Sequence, residues 1–110
     1  MSIMDRISGR FSQNKVKIEV PEWGDDNGPL IIYSDYYTIK DDQAVKRFMK
    51  DDDPHGFVEI VVRKAMDSDG NKLFNLDDKP KLARKGESHV LKRIALSMMA
   101  SISIEEAEGN

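Results

Sequence analysis

The sequence contains no cysteine, which removes disulfides and thiolate metal sites together and suits a reducing compartment. It also lacks any apolar run close to the roughly 20 residues that cross a bilayer, and charges interrupt residues 1–10 where the apolar core of a signal peptide would lie. The expectation is a cytoplasmic protein, neither exported by a visible signal nor held in a membrane. Charge of one sign is missing as well: 20 acidic and 17 basic side chains are interspersed to a net −3, leaving no field to grip a polyanion, so nucleic acid is not an expected partner. The only two histidines, His55 in a charged loop and His89 at a helix start, have no nucleophile or orienting acid in a recognisable arrangement. Neither catalysis nor a cofactor is expected.

What remains is enough for one domain of 110 residues, with 39% hydrophobic against 34% charged residues. Residues 1–14 scatter Ile3, Ile7 and Phe11 among Ser, Gly, Asn and Arg, and read as a flexible arm. A domain over 15–104 opens with Val16, Ile18 and Val20 alternating against Lys15, Lys17 and Glu19, one face of a strand that Pro21 ends. Residues 21–29 are dense in turn formers, and Leu30-Ile31-Ile32-Tyr33 supplies the return strand of a hairpin. Acidic Asp41 and Asp42 suit a helix start before the stripe Ala44, Val45, Phe48 and Met49, and the helix stops before Pro54. Residues 57–66 fit both periods, since Phe57, Val58, Val61, Val62 and Ala65 share a helical face while Val58, Ile60 and Val62 alternate; their length favours a helix. Residues 67–71 form a tight turn around Gly70, and Leu73-Phe74 re-enters the core. Asn75 or Asp77 caps a short helix near residues 80–84 that Gly86 closes. Ser88 caps the final helix, whose Val90, Leu91, Ile94, Ala95, Met98 and Ile102 recur at helical spacing. An acidic tail, 105–110, follows. The fold class expected is α+β, a short N-terminal β-hairpin followed by a body of three to four helices, with Val90, Leu91, Ile94 and Met98 packed on Phe48, Phe57, Val61 and Phe74.

Asp67, Asp69, Asn71 and Asp78 look like a calcium loop in composition, but Gly70 falls at the fourth position where the helix-loop-helix calcium site needs glycine at the sixth. A structural turn is the better reading. Trp23 stands in a turn-rich segment, and a large aromatic there either folds back on the core or stays open to a partner. Tyr33 and Tyr37 would share a face opposite Tyr36 if the second strand continues. Met49, Met66, Met98 and Met99 lie on or beside apolar faces, where flexible thioethers fill a core or adapt to a bound hydrophobic segment. Trp23, Tyr36, Met98, Met99 and Ile102 are the candidates for a protein-binding surface.

Three segments in this order, Val16-Lys17-Ile18-Glu19-Val20-Pro21-Glu22-Trp23-Gly24, Asp67-Ser68-Asp69-Gly70-Asn71-Lys72-Leu73-Phe74 and Val90-Leu91-Lys92-Arg93-Ile94-Ala95, resemble the tail assembly chaperones of long-tailed bacteriophages, over about residues 15–108. In that family a β segment ending in a Pro-x-Trp turn precedes a helical body, and an Asp-x-x-Gly turn leads to Leu-Phe. The resemblance implies a short, unfused form that coats the tape measure protein in the host cell cytoplasm and keeps it soluble until tail-tube subunits assemble around it. It further implies a homo-oligomer, with the tail-tube protein as a possible second partner, and absence from the mature virion. A tail terminator or connector protein retained in the particle is the alternative that composition leaves open, and a cation-dependent regulator using residues 67–78 is a more distant one.

Overall fold

The computed structural model describes residues 2–13, 15–50 and 53–101, with residues 13 and 47–50 given by their backbone alone. The element order is α1 (Ile3–Gln13), β1 (Val16–Asp25), β2 (Gly28–Ser34), α2 (Ile39–Lys50), α3 (His55–Lys64), α4 (Asp78–Lys85) and α5 (Ser88–Ala100). The class is the expected α+β, with four helices after the hairpin among the described residues. The hairpin is not the first element, however: α1 precedes it. Ile3, Ile7 and Phe11 are spaced i, i+4, i+8 and fall on one helical face. The helix start is fixed by Ser2 and Asp5, since Ser2 Oγ accepts from the Asp5 backbone N–H at 3.1 Å and Asp5 Oδ2 accepts from the Ser2 N–H at 3.2 Å. Residues 105–110 and Ile102 lie outside the described residues.

β1 and β2 pair antiparallel from Val16↔Ser34 to Val20↔Leu30, with Val16, Ile18, Val20, Ile32 and Ser34 facing inward. Pro21 does not end β1, as the sequence suggested. The proline withholds an N–H from the ladder, so pairing lapses after Val20, yet the chain stays extended and pairs again at Asp25↔Gly28. The turn is therefore the tight Asp26-Asn27, where Asp25 Oδ1 accepts from the Asn27 N–H at 2.8 Å and Gly28 takes φ +122°. β2 ends at Ser34, so the alternation that would separate Tyr36 from Tyr37 does not apply; both are half-buried against the core.

α3 is the centre of the molecule, packed against α5, α2 and α4, while α5 also packs on β1. Val58, Ile60, Val61 and Val62 are all buried, which explains why its sequence fits two periods: a helix surrounded on most sides has no polar face to set its phase. α5 supplies the opposing layer through Val90, Leu91, Ile94, Ala95 and Met98. Phe57 and Phe74 pack on this core half-buried, whereas Phe48 lies outside the described side chains. Each large aliphatic residue here contributes about 1.5–3 kcal/mol by leaving water. α2 starts with the Thr38–Asp41 pair, each side chain accepting the other's backbone N–H, at 3.2 and 2.9 Å. Lys64 Nζ reaches Asp41 Oδ2 at 2.8 Å and so ties α3 to α2. Ser88 is the first residue of α5 and not its cap; Glu87 occupies the cap position without a side-chain cap bond.

A candidate protein-binding surface

α4 carries no buried residue. It sits on α3 through the Lys79 Nζ–Glu59 Oε2 ion pair at 2.7 Å, and Glu59 also accepts from Arg63 Nε at 3.0 Å. Its first turn is set by Asp78, whose Oδ2 accepts from the Asn75 N–H at 2.9 Å, and Pro80 falls where no intrahelical N–H is needed. Its end turns sharply into α5 at Gly86, where a Cβ would stand 2.8 Å from the Leu82 carbonyl oxygen and 2.9 Å from Leu91 Cδ1. Only a residue without a side chain lets the two helices meet this closely.

Between α4, the Leu73-Phe74 segment and the outer end of the hairpin runs an open groove of about 480 Å³. Trp23, Leu73, Phe74 and Leu82 give it an apolar floor, and Lys81 and Lys85 stand on its α4 rim. The unpaired stretch of β1 is what brings Trp23 here. Its indole Nε1 donates to Glu87 Oε1 at 3.1 Å, and beside it Arg93 donates to both carboxylate oxygens of Glu22 at 2.6 and 2.7 Å. These guanidinium hydrogen bonds, with a backbone N–H contribution, hold the Glu22 carboxyl down at about 2.

The candidates drawn from the sequence do not form one patch. Trp23 lies at the start of α5. Tyr36 and Met99 lie by its other end, about 18 Å along the helix, where the Ser101 hydroxyl accepts from the Tyr37 N–H at 2.9 Å. The Arg10 guanidinium of α1 covers the Tyr36 ring, 4.7 Å from its centre. Met98 is fully buried: it shares the inward stripe of Ile94 and Val90, so in this conformation it is core and not contact surface. Met99 is half-buried against the core. Two surface features went unread in the sequence. One is the groove rim on α4. The other is α1, whose Ile3, Met4 and Ile7 are exposed at 64%, 63% and 54%; the Ser2-x-x-Asp5 start and the i, i+4 spacing were the signals for it.

The Asp67 loop is a self-satisfied turn. Asp67 Oδ1 accepts from the Asp69 and Asn71 N–H groups at 2.8 and 3.0 Å, Oδ2 accepts from Asn71 Nδ2 at 3.2 Å, and Gly70 takes φ +88°. The Asn71 and neighbouring backbone hydrogen bonds lower the Asp67 pKa despite some desolvation. Among the described residues no group of three or more His, Cys, Asp or Glu is placed to hold a metal ion, and no helix is long and apolar enough to cross a membrane.

No protein-family model and no curated protein matches the sequence. Among solved structures, the chain is similar to the tail assembly chaperone of bacteriophage HK97, with a TM-score of 0.61 and 14% identity over 90% of this chain and 96% of that one. The chain therefore has the fold of a phage tail assembly chaperone.

Proposed function

We propose that the protein is a non-enzymatic tail assembly chaperone that binds the phage tape measure protein and keeps it soluble in the host cytoplasm during tail assembly. The observation that carries this reading is the likeness to the HK97 chaperone over nearly the whole of both chains. The open apolar groove beside Trp23 agrees with it, because a protein that holds a long helical polypeptide needs exposed apolar contacts of moderate strength. Trp23 and Met99 are the contact residues, with Met98 supporting Met99 from inside and Tyr36 framed by Arg10. Ile102, outside the described residues, is a further candidate contact. A line of copies along one client also requires self-contact, and the exposed Ile3, Met4 and Ile7 of α1 supply an apolar stripe for it.

The experiment is coexpression of the chain with tape measure fragments from the same genome, followed by pull-down and light scattering. Retention and solubilisation of a fragment, weakened by Trp23→Ser or Met99→Ser, is the expected result. If no fragment is retained by the folded protein, the chaperone role is wrong. Mass spectrometry of purified particles separates a chaperone, expected to be missing, from a tail component present at fixed stoichiometry.

A further inference from the structure

We infer that the groove between α4 and Trp23 takes an amphipathic helix whose apolar stripe is flanked by acidic residues, and that Lys81 and Lys85 read those acids. The inference rests on the chaperone reading for the client's identity, but its geometry stands alone. Trp23, Leu73, Phe74 and Leu82 offer an apolar bed open to solvent on one side. A free bed of this kind is filled by the apolar face of a helix, while the helix's next residues on each side meet the rim.

The charges on that rim are unequal in their engagements. Asp78 accepts from the Asn75 N–H and lies at the amino end of α4, where the helix dipole complements it. Glu87 accepts from the indole of Trp23. Lys79, the cation on the other side of α4, is taken by Glu59. Lys81 and Lys85 are exposed and have no acidic partner among the described residues. They lie four apart on α4, one turn from each other, beside Leu82. The groove thus presents two exposed ammonium groups, without acidic partners among the described residues, along one wall of an apolar trough, and the complementary ligand carries carboxylates one turn apart next to its apolar stripe. A lysine-flanked helix would meet like charge at both positions.

Trp23 is the only tryptophan in the chain, so its emission reports occupancy of the groove directly. The probes are two synthetic peptides of about 20 residues, long enough to be helical when bound, with the same leucine stripe and flanked either by glutamate or by lysine. The expected result is that the glutamate peptide shifts Trp23 emission and binds less tightly as salt rises, with the lysine peptide at least about tenfold weaker. The double variant Lys81→Glu, Lys85→Glu, checked for its fold by circular dichroism, should reverse the preference. Equal binding of the two peptides, or a double variant with unchanged preference, overturns the inference. Its failure is separable from that of the chaperone reading. A tape measure fragment retained equally by wild type and double variant overturns the groove and leaves the chaperone standing. Glutamate-peptide binding with no fragment retained keeps the groove and removes the tape measure as its client.

Discussion

Because α4 has no fully buried residue and touches the core through the half-buried Leu82, the Glu59 ion pair carries much of what seats it on the body. The Glu59 side chain is 8% exposed, Lys79 30% and Arg63 47%. Removing one member of a fully buried ion pair costs about 3–5 kcal/mol, since a charge is left without a partner. Here Glu59→Ala releases two cations that already reach water, so they rehydrate, and the cost reduces to two charged hydrogen bonds partly offset by solvent, about 1.5–3 kcal/mol. Lys79→Ala leaves Glu59 still bonded to Arg63 and should cost about 1 kcal/mol. The sharper quantity is the coupling from double-mutant cycles: about 1–2 kcal/mol for Glu59 with Lys79, which joins two helices, against about 0.3–0.5 kcal/mol for Glu59 with Arg63, an i, i+4 pair within one helix whose guanidinium is half-exposed. Urea unfolding followed by both circular dichroism and Trp23 fluorescence gives these values. It should also show the fluorescence transition moving ahead of the circular dichroism transition in Glu59→Ala, as α4 leaves before the rest unfolds. A Glu59–Lys79 coupling no larger than the Glu59–Arg63 value would refute the claim that this contact seats α4.

Ile94→Ala removes a fully buried side chain at the meeting of α5 and α3, and should lower unfolding free energy by about 2–5 kcal/mol in denaturant titration; a loss under about 0.5 kcal/mol would place it outside the core. Glu22 has a folded pKa of about 2 against 4.5 for a free side chain, so its pairing with Arg93 contributes fully above about pH 4.5 and is lost as pH falls through about 2; carboxyl carbon NMR should find Glu22 still ionised at pH 3. Tyr37 is shifted the other way, to about 12, by burial and by the nearby Asp42 and Asp41, so its contribution is present below pH 10 and fades as pH approaches 12, which an ultraviolet titration of phenolate follows. A client in the groove should slow amide exchange across α4 far more than across α5, because α4, unlike α5, has no fully buried side chain.

The sequence was most readable where one face of an element meets the core and the other meets water. The alternation of Val16, Ile18 and Val20 fixed β1, and the spacing from Val90 to Met98 fixed α5, because solvent enforces those periods. Elsewhere local rules competed. Pro21 reads as a strand end because it cannot donate to the ladder, but an extended chain needs no ladder to continue when Trp23 beyond it is anchored on Glu87. Ser88 has the chemistry of a cap, yet the helix begins one residue early, with Glu87 at the cap position and its carboxylate accepting from Trp23 instead of capping. The α1 stripe is faint in the sequence because Gly9 and polar neighbours lower helix propensity there. The protein-binding candidates fared unevenly for a related reason. Exposure is a tertiary property, and Met98 and Met99, adjacent in sequence, fall on opposite sides of the line between core and surface.

Both ends of the groove's chemistry follow from these departures from local expectation. A strand that stops pairing at Pro21 but stays extended carries Trp23 beyond the sheet, where it closes one side of a trough. A helix too polar to be buried, with four basic residues among eight, forms the other side and leaves two of its lysines without an acidic partner among the described residues. Gly86 presses the two together by allowing α4 to turn directly into α5. α3, α5 and the paired part of the hairpin supply most of the buried core, and Trp23 and Leu82 pack along its edge. Trp23 and Leu82 rest on the edge of the core and leave an apolar bed open between them, and a bed so placed beside exposed lysines is best explained by what occupies it.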